Sequence, residues 1–167
     1  FTQIEAVAEQ VVPDGNFPTV VSPNPEDPRA LEMGIAQAKR MGADIVLGTD
    51  PDCDRVGIAV RNPAGDYQLM TGNQVGALLM KFVLTHTDFS DYSRPAVVKT
   101  VVTSELGADI ARKYGITVFS TLTGFKFIGE KITQFEQAKR EGNADRDFDF
   151  LFGYEESYGY LAGTHAR

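Results

Sequence analysis

The sequence predicts an α/β protein, with helices layered on sheet, and three observations carry that reading. Short β-rich apolar runs alternate with segments whose apolar residues recur at helical spacing. Gly, Pro, Asn and Asp punctuate the changes of period. Hydrophobic residues make up 43% of the 167 residues, enough to bury a core and too many for a disordered chain. At ~100–200 residues per domain, the length fits one domain or two small ones.

The elements follow in order. Pro25 to Met41 reads as a helix with its lead-in: Asp27 suits the N-cap, Pro28 the first turn, and Leu31, Ile35 and Ala38 share one face before Gly42. Asp44–Gly48 is an apolar run suited to a buried strand. Val56–Val60 and Tyr67–Met70 are two further strands around the turn Asn62–Asp66. Gly72–Val83 is helical, with Val75, Leu79 and Phe82 on one face, and Thr87–Pro95 is a polar loop. Ala96–Val102 is β-rich. Ser104 caps a helix carrying Leu106, Ile110 and Ala111, closed by Gly115. Ile116–Ser120 is a strand, Phe127–Arg140 a helix and Phe148–Phe152 a strand leading into a Gly- and Tyr-rich loop. The expected boundary between two α/β units lies around Asn62–Thr71.

Composition removes several classes. Sixteen Lys and Arg against 23 Asp and Glu give a net charge of −7, which argues against a general nucleic-acid binder because phosphate backbones repel it. The single cysteine, Cys53, excludes an intrachain disulfide scaffold. No run approaches the ~18 apolar residues of a membrane span. The expectation is a soluble, cytoplasmic protein. The start at Phe1 and stop at Arg167 read as the edges of a piece of something longer.

The sharpest local signal is Asp50-Pro51-Asp52-Cys53-Asp54-Arg55, directly after a predicted strand, where ligands of α/β sheets collect. Three carboxylates at i, i+2 and i+4 repel one another unless a hard divalent cation offsets the repulsion. In an extended or looping segment this spacing can turn all three to one side. Oxygen ligands favour Mg²⁺, Ca²⁺ or Mn²⁺ over Zn²⁺. An EF-hand fails because its Gly and Glu positions are Arg55 and Arg61 here. A solvated acidic turn is the alternative. Arg55 suits a site that also holds phosphate, or it neutralises the aspartates. By alternation Cys53 points away from the metal as a packed thiol. A zinc site of Cys53, His86 and His165 has no supporting spacing.

Two more strand-end loops carry chemistry. In Thr121-Leu122-Thr123-Gly124-Phe125-Lys126, Gly124 permits close backbone approach, and Lys126 lies at a helix N-terminus, where a cation opposes the macrodipole unless it meets an anion. Gly153-Tyr154-Glu155-Glu156-Ser157-Tyr158-Gly159 offers carboxylates and a hydroxyl suited to binding sugar hydroxyls. An exposed lysine and an acidic turn are the plain alternatives. Ser22-Pro23-Asn24-Pro25 is a lead-in to a helix rather than a nucleophilic loop.

Together these loops resemble the α-D-phosphohexomutase family, the phosphoglucomutases and phosphomannomutases. TDPDCDR resembles its magnesium loop, LTGFKFIGE its third-domain substrate loop, and GYEESYG its sugar loop; PDGNFPTVVSPNPE resembles its second domain. GFKFIGE and GYEES are similar to bacterial phosphoglucomutase-type members, while Tyr158-Gly159 departs from members with Gly-His and leaves sugar preference open. The resemblance implies three-layer α/β/α units with mixed sheets, residues 1–65 being the later part of domain II and 66–167 most of domain III. It implies Mg²⁺ on Asp50, Asp52 and Asp54, with Arg55 and Lys126 as catalytic cations. Thr123, Gly124, Phe125, Lys126, Glu155 and Ser157 would bind substrate. The implied reaction moves a phosphoryl group between glucose 1-phosphate and glucose 6-phosphate through a phosphoserine, with a hexose 1,6-bisphosphate as intermediate and activator. Neither the phosphoserine loop nor the fourth-domain phosphate loop is in this sequence. The partners implied are a phosphosugar and domains I and IV, and the isolated chain is expected to be inactive. A phosphomannomutase, a phosphopentomutase and a non-catalytic metal or sugar-phosphate binding module are the alternatives. A phosphatase or nucleotidyl transferase using the acidic loop alone has no need of GYEES.

Overall fold

A computed structural model describes residues 3–165, which fall into two compact units dividing between Thr71 and Gly72. The break falls at the end of the expected boundary region Asn62–Thr71. The reason is the strand Tyr67–Met70, which pairs into the first unit's sheet.

The first unit holds a short helix α1 (Ala8–Val11), a 3₁₀ turn at Pro28–Leu31, helix α2 (Glu32–Met41) and strands β1 (Ile45–Thr49), β2 (Val56–Arg61) and β3 (Tyr67–Met70). The expected helix from Pro25 is therefore split. Asp27 caps the 3₁₀ turn by accepting the Arg29 N–H at 3.0 Å, and the α-helix begins at Glu32. Gly42 ends α2 in the left-handed conformation. The strands run β1-β2-β3, all antiparallel. β1 is thus an edge strand, not the fully buried one expected, and its Leu47 is 54% exposed. Leu31, Ala38, Val46 and Ala59 form a small core between helix and sheet.

The second unit is the larger. It contains α3 (Gly72–His86), a 3₁₀ turn at Phe89–Asp91, β4 (Pro95–Thr100), α4 (Glu105–Lys113), β5 (Thr117–Thr121), α5 (Phe125–Arg140), β6 (Asp149–Tyr154) and β7 (Tyr160–Ala162). Its sheet is mixed, in the order β5-β4-β6-β7, with β4 parallel to β5 and β6, and β7 antiparallel to β6. One face packs Val97, Leu151, Phe152 and Tyr154 against Met80 and Leu84 of α3 and Ala111 of α4. The other packs Ala96, Val98 and Phe150 against Ile128, Ile132 and Phe135 of α5. This is the three-layer arrangement.

A bulge interrupts the β4–β6 ladder. Ala96 pairs with Phe150 but Val97 pairs with Phe152, so Leu151 is the extra residue. Because β4, β5 and β6 are parallel, their C-termini lie at one end of the sheet. The segments after Thr100, Thr121 and Tyr154 all leave from that end, as ligand-binding loops of α/β sheets do.

Candidate functional site

The first unit's acidic loop follows β1. Of the extended and looping forms expected, it takes the looping one: Cys53 has φ 60° and its N–H reaches the Asp50 carbonyl at 3.1 Å. Cys53 is therefore exposed, with Sγ 3.6 Å from Thr49 Oγ1, and the expected packed thiol is not found. The turn still brings one carboxylate oxygen each of Asp50, Asp52 and Asp54 within 4.8 Å of one another, the one such acidic cluster among the described residues. The crowding shows in the protonation of Asp50 and Asp54. Burial pushes Asp50 up, but the Arg55 amide at 3.0 Å and bonds to Asp54 and Asp52 outweigh it and hold Asp50 below its ordinary range. Asp54 moves the other way, raised by its bond to Asp50, by burial and by the charges of Asp50 and Asp52. Three converging carboxylate oxygens form a donor set that fits a hard divalent cation.

Arg55 lies beside this cluster. Its Nε is 3.8 Å from Asp50 Oδ2 and from Asp54 Oδ1, and its Nη1 is 3.3 Å from Glu26 Oε1. A cleft of about 240 Å³ opens here, lined by Ser22, Pro23, Asn24, Asp50, Pro51 and Arg55. The Ser22–Pro25 lead-in thus borders the acidic loop, a placement its sequence did not signal. Gly57 makes it possible, since a Cβ there would stand 2.7 Å from the Pro25 carbonyl oxygen.

In the second unit, Gly124 takes φ 122°, which only glycine adopts readily, and directs the chain into α5. Its N–H donates to Glu155 Oε1 at 2.6 Å. The carboxylate thereby joins the loop after β5 to the loop after β6, at the positive end of α5. Glu155 is only 7% exposed. Thr123 is exposed, and Gly124, Phe125 and Ser157 are half-buried. Lys126 is exposed on the first turn of α5, with Nζ 4.8 Å from the Phe127 ring centroid.

Beneath these loops is a polar cluster that sequence reasoning passed over. Lys99 is 2% exposed. Its Nζ donates to the carbonyls of Thr100 (3.0 Å) and Thr103 (2.8 Å) and pairs with Glu105 Oε1 at 2.9 Å. Three donors meet three acceptors, which is how a buried ammonium is tolerated. The signal available was a lysine inside the apolar run Ala96–Val102.

Two family models match the chain: phosphoglucomutase/phosphomannomutase alpha/beta/alpha domain II over residues 1–65, and domain III over residues 71–167. The fold is that of alpha/beta/alpha domains II and III of phosphoglucomutase/phosphomannomutase. The chain belongs to the phosphoglucomutase/phosphomannomutase family. A phosphoglucomutase of Staphylococcus epidermidis is 36% identical over all 167 residues, and one of Staphylococcus aureus is 37% identical. The chain spans 28–29% of the length of these relatives. Among solved structures, a phosphoglucomutase/phosphomannomutase family protein of Burkholderia thailandensis matches with TM-score 0.63 and 22% identity, over 89% of this chain and 28% of that one. Parafusin of Paramecium, a phosphoglucomutase, matches with TM-score 0.52 and 23% identity, over 80% of this chain and 20% of that one. These two likenesses concern the fold.

Proposed function

We propose that the chain supplies the metal-binding and sugar-binding loops of a phosphohexomutase that interconverts glucose 1-phosphate and glucose 6-phosphate. The observation that carries this reading is the convergence of Asp50, Asp52 and Asp54 within 4.8 Å, with Arg55 beside them. The staphylococcal relatives named phosphoglucomutase support glucose as the sugar. Asp50, Asp52 and Asp54 would hold Mg²⁺, which when bound supplies positive charge to polarise a donor phosphoryl group.

Phosphoryl transfer demands positioning and charge stabilisation more than covalent work from the protein. The Arg55 guanidinium matches phosphate oxygens and would neutralise their charge during transfer. Lys126, exposed at the start of α5, would do the same for the sugar-borne phosphate. Glu155 and Ser157 would accept and donate hydrogen bonds to the sugar's 3- and 4-hydroxyls, which occupy similar places in both orientations of a hexose 1,6-bisphosphate. Thr123, Gly124 and Phe125 would line the same loop. The phosphoserine donor and the fourth-domain phosphate loop would come from other parts of the whole protein, so these 167 residues alone are expected to give no turnover of glucose 1-phosphate in a coupled assay. No described helix is long and apolar enough to cross a membrane, and we assign the protein to the cytoplasm.

The deciding experiment is Mg²⁺ titration calorimetry on this chain and its Asp52→Asn variant. Loss of one of three carboxylates is expected to weaken Mg²⁺ binding about tenfold or more. Equal affinity in the two proteins would remove the metal assignment.

A further inference from the structure

The loop after β6 is fastened from below by a hydroxyl with three polar partners. Thr103 Oγ1 lies 2.6 Å from Thr100 Oγ1, 2.9 Å from Glu156 Oε2 and 3.2 Å from the Glu156 backbone nitrogen. Thr100 Oγ1 also lies 3.3 Å from Glu156 Oε2, so the two hydroxyls and the carboxylate form a triangle. The Thr103 O–H donates to the Glu156 carboxylate, the Glu156 N–H donates to Thr103 Oγ1, and the Thr100 O–H donates to Thr103 Oγ1 or to the same carboxylate. Thr100 is 0% and Thr103 3% exposed, so the two hydroxyls are shielded from water, and Glu156 is half-buried. The Lys99 ammonium holds the carbonyls of the same two threonines and fixes the turn that presents their hydroxyls.

The neighbouring glutamates face opposite ways. Glu156 is bound to the β4–α4 turn, while Glu155 reaches the Gly124 N–H at the start of α5. Fixing the side chain and backbone N–H of Glu156 sets the peptide that precedes it, and hence the aim of the Glu155 carboxylate. The same anchor holds the chain just ahead of Ser157. A ligand-binding loop gains affinity when its geometry is set before the ligand arrives.

We infer that Thr103 and Glu156, backed by Thr100, are positioning residues that pre-set the Glu155–Ser157 loop for a sugar phosphate, without touching the sugar themselves. The inference rests on the proposed reading of Glu155 and Ser157 as sugar-binding groups. Its test compares Thr103→Val and Thr103→Ser in the full-length gene product. Glucose 6-phosphate is the probe in titration calorimetry, with melting temperature recorded alongside. Valine keeps the shape and removes the hydroxyl; serine keeps the hydroxyl.

The expected result is a Kd raised about tenfold by valine and brought back to within about twofold by serine. If Thr103→Val fails to fold, Glu156→Gln takes its place with the same expectation, since it weakens the carboxylate bond at nearly constant volume. An unchanged Kd in the valine or glutamine variant, while Glu155→Ala abolishes binding, overturns the positioning role and leaves the reading of the site intact. A Kd raised equally by valine and serine overturns it as well. Unchanged binding in Glu155→Ala overturns the reading, and the inference with it.

Discussion

Tyr154 shows how much one buried side chain constrains the second unit. Its ring is fully buried, and burial, with the Glu105 charge adding to it, pushes the phenol up to about 12. The sign of the pH effect follows. The unfolded chain loses this proton near its ordinary value of 10, while the folded protein keeps it. Between those values the native state binds more protons, so stability falls as pH rises. Two pH units correspond to roughly 2–3 kcal/mol. Urea midpoints measured from pH 9 to 12 should decline with pH in the native sequence, and Tyr154→Phe should remove this part of the decline. Phenol titration followed by ultraviolet absorbance gives an independent check. None of this was visible locally, because Tyr154 in the sequence is one tyrosine of a Gly- and Tyr-rich loop.

At the scale of elements, two helices are cut to receive that ring. A Cβ on Gly76 of α3 would collide with the Tyr154 ring carbons, and one on Gly107 of α4 would collide with its hydroxyl end. Gly76→Ala raises helix propensity by about 1 kcal/mol, yet it is expected to destabilise the second unit by about 1–3 kcal/mol because the ring has nowhere to move. Urea denaturation of the variant measures the balance, and a gain in stability would contradict the packing described. The elements themselves were largely legible. Periodicity located α3, α4, β4 and β5 to within a residue or a few. The Gly124–Lys126 helix start was read from chemistry alone, although α5 begins two residues before the expected Phe127. What escaped was short or tertiary in origin. β7 has three residues and exists because β6 offers a partner. The inward turn of Glu155 and the hydroxyl under Glu156 depend on contacts across more than thirty and fifty positions of sequence respectively.

For the whole molecule, the two units carry unequal cores. The first relies on Leu31, Ala38, Val46 and Ala59, with partly buried neighbours. The second buries large side chains on both faces of its sheet. Stability scales with buried apolar area, so unfolding is expected in two steps. Hydrogen exchange in rising urea should expose β1–β3 amides first and those of β4 and β6 last. A single transition shared by all amides would contradict independent cores. The net charge of −7 is unevenly spread, with three of the aspartates gathered at one loop.

The single extra residue in β6 has a further consequence. Strand residues alternate between faces, so an insertion of one reverses the parity of everything that follows. Ahead of it Phe150 faces α5; past it Phe152 and Tyr154 face α3 and α4. Continuing that alternation sends Glu155 towards α5, where Gly124 waits, and Glu156 towards the threonines. Without Leu151 as the odd residue, the two glutamates would exchange directions. Strand parity, set several residues upstream, therefore decides which of two chemically identical side chains reaches Gly124 and which reaches Thr103.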